Sequence, residues 1–235
     1  MQPVIKAHDV VQVLNKKTVL KGINLEVPAG EALGIFGTRG TGKTTLLHLL
    51  AGIDQFHSGR VEILGMNIQK DNAYKKHLGL VTQERSLFQE LKVAENLDFI
   101  ATLRGGSRAV LSQLVESLEL NPLLKEPVST LEDGAYQRVA LACALLGDPK
   151  ILLADELIRD IDFYSQRLLL KIVRQFLKEG GTFVCGFSQM DYAGQLNRIA
   201  WLTDGQLTFY RPEEAVKEWQ RQFQEINRQS GEPHD

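Results

Sequence analysis

Residues 37–45 read Gly37-Thr38-Arg39-Gly40-Thr41-Gly42-Lys43-Thr44-Thr45, the pattern G-x-x-x-x-G-K-[ST]. Three glycines let the backbone approach a ligand without side-chain obstruction, so successive amide N–H groups converge on one cluster of oxygens. Lys43 adds a full positive charge, and Thr44 a hydroxyl of the kind that completes a magnesium shell. A helix beginning at Lys43 adds the partial positive charge of its N-terminus. Such a loop binds nucleotide phosphates. A pattern this loose also arises by chance, and its weight comes from the apolar strand expected at 32–36 before it and the amphipathic helix after it.

A second chemical element is Ile151-Leu152-Leu153-Ala154-Asp155-Glu156, an apolar strand ending in two carboxylates. Asp155 is suited to hold the magnesium shell, through water or the Thr44 hydroxyl, and Glu156 to orient or deprotonate an attacking water. Acidic residues at a strand end are common by themselves. Set behind a long helical interval that follows a phosphate loop, they are specific.

These residues need a frame, and the rest of the chain predicts one. Residues 4–7 and 19–27 read as β-segments, and 28–30 as a turn feeding the strand at 32–36. A buried helix starts within 44–50, and 59–64 and 79–82 supply further strands separated by a polar, lysine-bearing stretch. From 84 to 146 the pattern is helical: Val110, Leu111, Leu114, Val115 and Leu118 share one face. Strand character returns at 151–154, 182–186 and 199–202, alternating with helical stretches around 166–178 and 192–196. That alternation requires a largely parallel sheet. After Pro212 a last helix carries Ala215, Trp219, Phe223 and Ile226 on one face, a stripe expected to dock onto its own domain.

Composition limits the classes. A chain of 235 residues that is 43% hydrophobic can bury a substantial core. A net charge of −2 without long like-charge runs leaves no electrostatic footprint for nucleic acid. Cys143 and Cys185 lie in apolar stretches and are expected to be reduced core thiols, and no apolar run approaches the ~20 residues that span a bilayer.

In this order the segments resemble the ATP-binding subunit of ABC transporters, over the whole chain apart from its tail. Gly79-Leu80-Val81-Thr82-Gln83 is similar to the family's glutamine loop, in which Gln83 would touch magnesium and relay its presence to the helical lobe. The stretch ENLDFIATLRG, beginning at Glu95, is similar to exporters of the ABC-2 class. The resemblance implies an α/β phosphate-loop NTPase fold: a mostly parallel core sheet, an N-terminal antiparallel β-layer and an inserted helical subdomain. It implies one domain over 1–229 (core 1–83 and 147–211, helical subdomain 84–146, C-terminal helix 212–229) and a loose tail at 230–235. ATP and Mg2+ would be held by residues 37–45 with Gln83 and Asp155, and Glu156 would be catalytic. The partners implied are a membrane-spanning subunit and a second, identical or related, ATP-binding subunit. The location implied is cytoplasmic, on the inner face of the membrane.

The chain also departs from that family. Where the family has its LSGGQ signature, which clamps the γ-phosphate bound on the opposite subunit, this chain reads Leu131-Glu132-Asp133-Gly134-Ala135. Two carboxylates there repel a triphosphate. The family's histidine after the strand at 182–186 is absent from Gly186-Phe187-Ser188-Gln189-Met190. The loop after Glu156 keeps only its last aspartate, Asp162, and Val13 and Leu14 align where an aromatic residue would stack on adenine. Weak hydrolysis is therefore expected, or an ATP-closed dimer switch with little hydrolysis. Arg39, facing Glu132, Asp133 and Asp160 of an opposite subunit, would offer a substitute ion pair.

Overall fold

The computed structural model describes the backbone of residues 2–230 and side chains up to residue 225, so the expectations for Ile226 and for 231–235 lie outside the described residues. In chain order it contains β1 (Pro3–Leu14), β2 (Lys17–Pro28), β3 (Ala32–Phe36), α1 (Lys43–Ala51), β4 (Ser58–Ile63), β5 (Met66–Asn67) and β6 (Leu78–Val81). Three helices follow: α2 (Val93–Arg104), α3 (Arg108–Ser117) and α4 (Asp133–Leu145). The chain then returns to alternation with β7 (Ile151–Asp155), α5 (Phe163–Lys178), β8 (Thr182–Phe187), β9 (Arg198–Thr203), β10 (Gln206–Tyr210) and α6 (Pro212–Ser230).

The strands form two sheets. The N-terminal layer, in the order β2-β1-β4-β5, is antiparallel throughout. The other runs β10-β9-β3-β8-β7-β6, parallel everywhere except at β10. β3, β7 and β8 are buried at every position, as strands covered on both faces must be. Their period-two alternation sorts side chains into two cores. Ala32, Phe36, Leu152, Ala154, Phe183 and Cys185 face the side that holds α2–α5, while Leu33, Ile35, Ile151, Leu153 and Val184 pack with α1 and the antiparallel layer. β3 sits centrally between β8 and β9, so the loop leaving its C-terminal end opens beside the end of β7, one strand further on.

Several expectations are corrected. β1 continues through residues 8–14, where the strand pairs with β2 and β4 on either side. α1 is the buried helix expected within 44–50 and lacks the amphipathic character also expected of it: Leu46, Leu47, Leu49 and Leu50 are all at most 1% exposed. Residues 84–92 are not helical, and helix begins only at Val93. Residues 192–195 belong to a short 3-10 turn, Met190–Gln195, and Leu196 after it is extended. β10 was not expected, although Asp204-Gly205 marks it: both adopt positive φ (51° and 80°), as a tight hairpin with the favoured twist requires.

The last helix docks by aromatic contact. The Trp219 ring lies 5.4 Å from Phe36 and 6.3 Å from Trp201, centroid to centroid. Because Trp219 is only half-buried, Trp219→Ala is expected to cost about 2 kcal/mol, roughly half the value for a fully buried aromatic. That lowers Tm by about 4–8 °C in a chain this size, checked by calorimetry, and an unchanged Tm would show that α6 does not dock. Cys143 and Cys185 are buried free thiols, with burial raising both pKa values, that of Cys143 to about 12. Among the described residues no helix is long and apolar enough to cross a membrane.

Candidate functional site

The glycine loop leaves β3 and enters α1. Gly40 and Gly42 adopt φ of 84° and 105°, where a side chain would be strained. A Cβ on Gly37 would lie 2.5 Å from Thr41 Oγ1 and 2.9 Å from the Leu202 carbonyl. The Thr41 hydroxyl donates to the Thr38 carbonyl at 3.0 Å and closes the turn. Thr38 and Arg39 are exposed at its tip, and Thr44 and Thr45 are partly buried in the first turn of α1.

Lys43 is 7% exposed, and its ammonium folds back onto the loop. Nζ donates to the carbonyls of Gly37 (2.8 Å) and Thr38 (3.2 Å) and stands 3.5 Å from Glu156 Oε1. A desolvated cation held by backbone oxygens can exchange them for phosphate oxygens with little further loss of hydration.

β7 brings the acids to the same place. Thr44 Oγ1 donates to Asp155 Oδ2 at 2.5 Å, and Asp155 is 1% exposed. Its other oxygen, Oδ1, has no hydrogen-bond partner among the described residues. Gly186 pairs with Asp155 across the β7–β8 ladder, and a Cβ there would stand 2.7 Å from that oxygen. A glycine therefore keeps space beside a buried carboxylate oxygen that lacks a donor, an arrangement that costs free energy unless a cation or its water fills it. Thr44 and Asp155 fit a hard, oxygen-seeking cation such as Mg2+.

Glu156 follows in left-handed conformation (φ 52°), with its N–H bonded to the Gly186 carbonyl at 2.9 Å. The backbone reversal turns its carboxylate toward Lys43. Oε2 accepts from Ser188 Oγ at 3.1 Å, and Oε1 has Arg159 Nη1 at 3.9 Å in addition to Lys43. Carboxylate charge from Glu156 and Asp155 also helps to keep the Cys185 thiol protonated, after burial as the main cause.

Gln83 is exposed and joins Glu156, Arg85, Asp133, Gln137 and Arg159 around a cavity of about 170 Å³. The structure thus groups Lys43, Thr44, Asp155 and Glu156 in direct contact and sets Gln83 across a small cavity from Glu156. At the N-terminus of α4, Asp133 is not a bare charge as expected. Arg85 Nη2 bonds its Oδ1 at 2.8 Å and the Leu131 carbonyl at 2.7 Å, and the guanidinium stacks 4.8 Å from the centre of the Tyr136 ring. Asp160 likewise holds Arg159 Nε at 2.8 Å. Of the three acids expected to face Arg39, Glu132 alone lacks an ion pair among the described residues. Leu14, where an adenine-stacking aromatic was sought, is 41% exposed at the end of β1. Arg159 was missed as a neighbour of Glu156, although the i, i+3 spacing gave a hint. Ser188, in the stretch where the family's histidine is absent, donates to Glu156.

Residues 20–159 match the family model described as ABC transporter. The chain is 32% identical over 198 residues to the probable multidrug ABC transporter ATP-binding protein YbhF of Escherichia coli (strain K12), which covers 82% of this chain and 34% of that one. It is 31% identical over 245 residues to the sulfate/thiosulfate import ATP-binding protein CysA of Yersinia pseudotuberculosis, covering 97% of this chain and 67% of that one. The chain thus spans only about a third of YbhF. The dimeric structure of a bacterial ABC transporter cassette superposes with a TM-score of 0.81 at 25% identity, covering 88% of this chain and 98% of that one.

Proposed function

The chain belongs to the ABC transporter family, and from that premise we propose that it is an ATP-binding subunit coupling MgATP binding, and slow hydrolysis, to transport by a separate membrane-spanning subunit. The observation that carries this reading is the convergence of Lys43, Thr44, Asp155 and Glu156 beneath one glycine loop. Residues 37–45 would seat the triphosphate, and Thr44, Gln83 and Asp155 would hold Mg2+, which when bound screens the phosphate charge and polarises the bond to be broken. Glu156 would take a proton from the attacking water.

Residues 1–229 would act as one ATP-binding domain, paired with an identical or related copy and seated on the inner face of the membrane. Glu132 in place of the signature hydroxyl, and the lack of a histidine near Ser188, support slow turnover. Export is the direction proposed. The relatives include both a multidrug and an import protein, so this rests on the sequence of α2. The second reading, an ATP-dependent dimer switch, is favoured by one feature: the Glu156 carboxylate is held by Lys43, Arg159 and Ser188 together.

For the membrane partner, the supporting feature is apolar surface on and before α2, where Phe88 (50%), Phe99 (47%) and Leu103 (71%) are exposed. The test is affinity purification of the tagged chain from membranes in mild detergent. A stoichiometric membrane-spanning protein, lost in Leu103→Glu while MgATP binding persists, is the expected result. No such protein, under conditions that preserve a control complex, would overturn the transporter reading.

A further inference from the structure

We propose that Arg159 is a positioning residue that restrains Glu156, so that this chain holds ATP longer than it hydrolyses it. The inference rests on the functional reading above. In the structure three groups hold the Glu156 carboxylate: Lys43 at 3.5 Å and Arg159 at 3.9 Å on Oε1, and Ser188 at 3.1 Å on Oε2. They are not equivalent once a nucleotide arrives. The Lys43 ammonium is the loop's phosphate ligand and leaves the carboxylate for the triphosphate. Arg159 lies outside the phosphate loop, tied to Asp160, and keeps the carboxylate facing its own chain.

The guanidinium is itself fixed. Its Nε is bonded to Asp160 Oδ2 at 2.8 Å, and the backbone N–H of Arg159 bonds the Glu156 carbonyl at 3.1 Å, closing a turn in which both Glu156 and Asp160 are left-handed (φ 52° and 55°). Gln166 braces the same turn from α5, donating to the carbonyls of Ile158 (3.2 Å) and Ile161 (3.0 Å). Arg159, with its side chain 23% exposed, therefore cannot swing far from Glu156 without breaking contacts in this turn. It also stands between two cavities that both reach Glu156, one of about 170 Å³ toward Gln83 and one of about 220 Å³ behind it toward Tyr192. Removing the guanidinium opens the same carboxylate oxygens to water from both cavities.

The experiment measures MgATP affinity by titration calorimetry and steady-state hydrolysis for the full chain and for Arg159→Ala, Arg159→Lys, Glu156→Gln and the Glu156→Gln/Arg159→Ala pair. Arg159→Ala is expected to raise kcat about fivefold, the upper end for one partly exposed ion pair, with the Kd for MgATP unchanged. Arg159→Lys keeps a cation in reach and should stay at the level of the unaltered chain, which a merely structural role would not produce. The gain should vanish in the pair, because it acts through Glu156. A kcat that is unchanged or lower in Arg159→Ala, or a gain that survives without Glu156, overturns the restraint. If the unaltered chain does not bind MgATP, the functional reading falls and the restraint with it. Binding with no gain removes the restraint alone.

Discussion

Replacing Lys43 by alanine is expected to weaken MgATP binding by about 30- to 150-fold, equivalent to roughly 2–3 kcal/mol, the range for losing hydrogen bonds from a charged donor. The loss is large because the ammonium is already stripped of water, at 7% exposure, and held by the carbonyls of Gly37 and Thr38. Binding exchanges neutral acceptors for charged ones at an unchanged hydration cost. Alanine also removes the nearest cation from Glu156, leaving that negative charge beside the incoming phosphates. Lys43→Met keeps most of the buried volume and loses the charge, so it separates a packing defect from loss of the cation. Calorimetric titration with MgATP reads both, and a Kd within threefold of the unaltered chain in each would remove Lys43 from the site.

The parts of the site visible in the sequence are those whose chemistry is local. The glycine loop is contiguous, its strand is apolar at all five positions, and Asp155 and Glu156 terminate another such strand, so composition alone marks them. The meeting of Thr44 and Asp155 at 2.5 Å follows from strand order, because a parallel sheet that places β3 and β7 on either side of β8 brings their C-terminal ends together. What stayed hidden depends on long-range convergence. Arg85 and Asp133 are 48 residues apart, and neither reveals that one neutralises the other over the Tyr136 ring. Ser188 reaches Glu156 across 32 residues through the pairing of β7 and β8. Gly186 also reads as one more small residue in a strand, until the register sets it opposite Asp155, where any Cβ would crowd the unpartnered oxygen. Substitutions that look like simple losses, Asp133 in the altered signature and Arg159 after Glu156, thus came with compensating contacts that only the fold assembles.

Glu156→Gln separates binding from chemistry. Hydrolysis should fall by about 10²- to 10⁴-fold, the contribution of a positioned general base. Affinity for MgATP should hold or improve, for a definite reason: the substitution removes a negative charge 3.5 Å from Lys43, and that ammonium then belongs wholly to the phosphates. Glutamine keeps the volume of glutamate and can still accept from Ser188, so a folding defect is not expected at a position where the left-handed backbone (φ 52°) already tolerates a side chain. Phosphate release and nucleotide titration on the same preparation give both numbers. Equal and measurable turnover in both would show that Glu156 is not the base. If instead neither the unaltered chain nor Glu156→Gln turns over detectably, while both bind MgATP tightly, the carboxylate is held too firmly by Arg159 and Ser188 to work, and the protein acts by binding ATP rather than by consuming it.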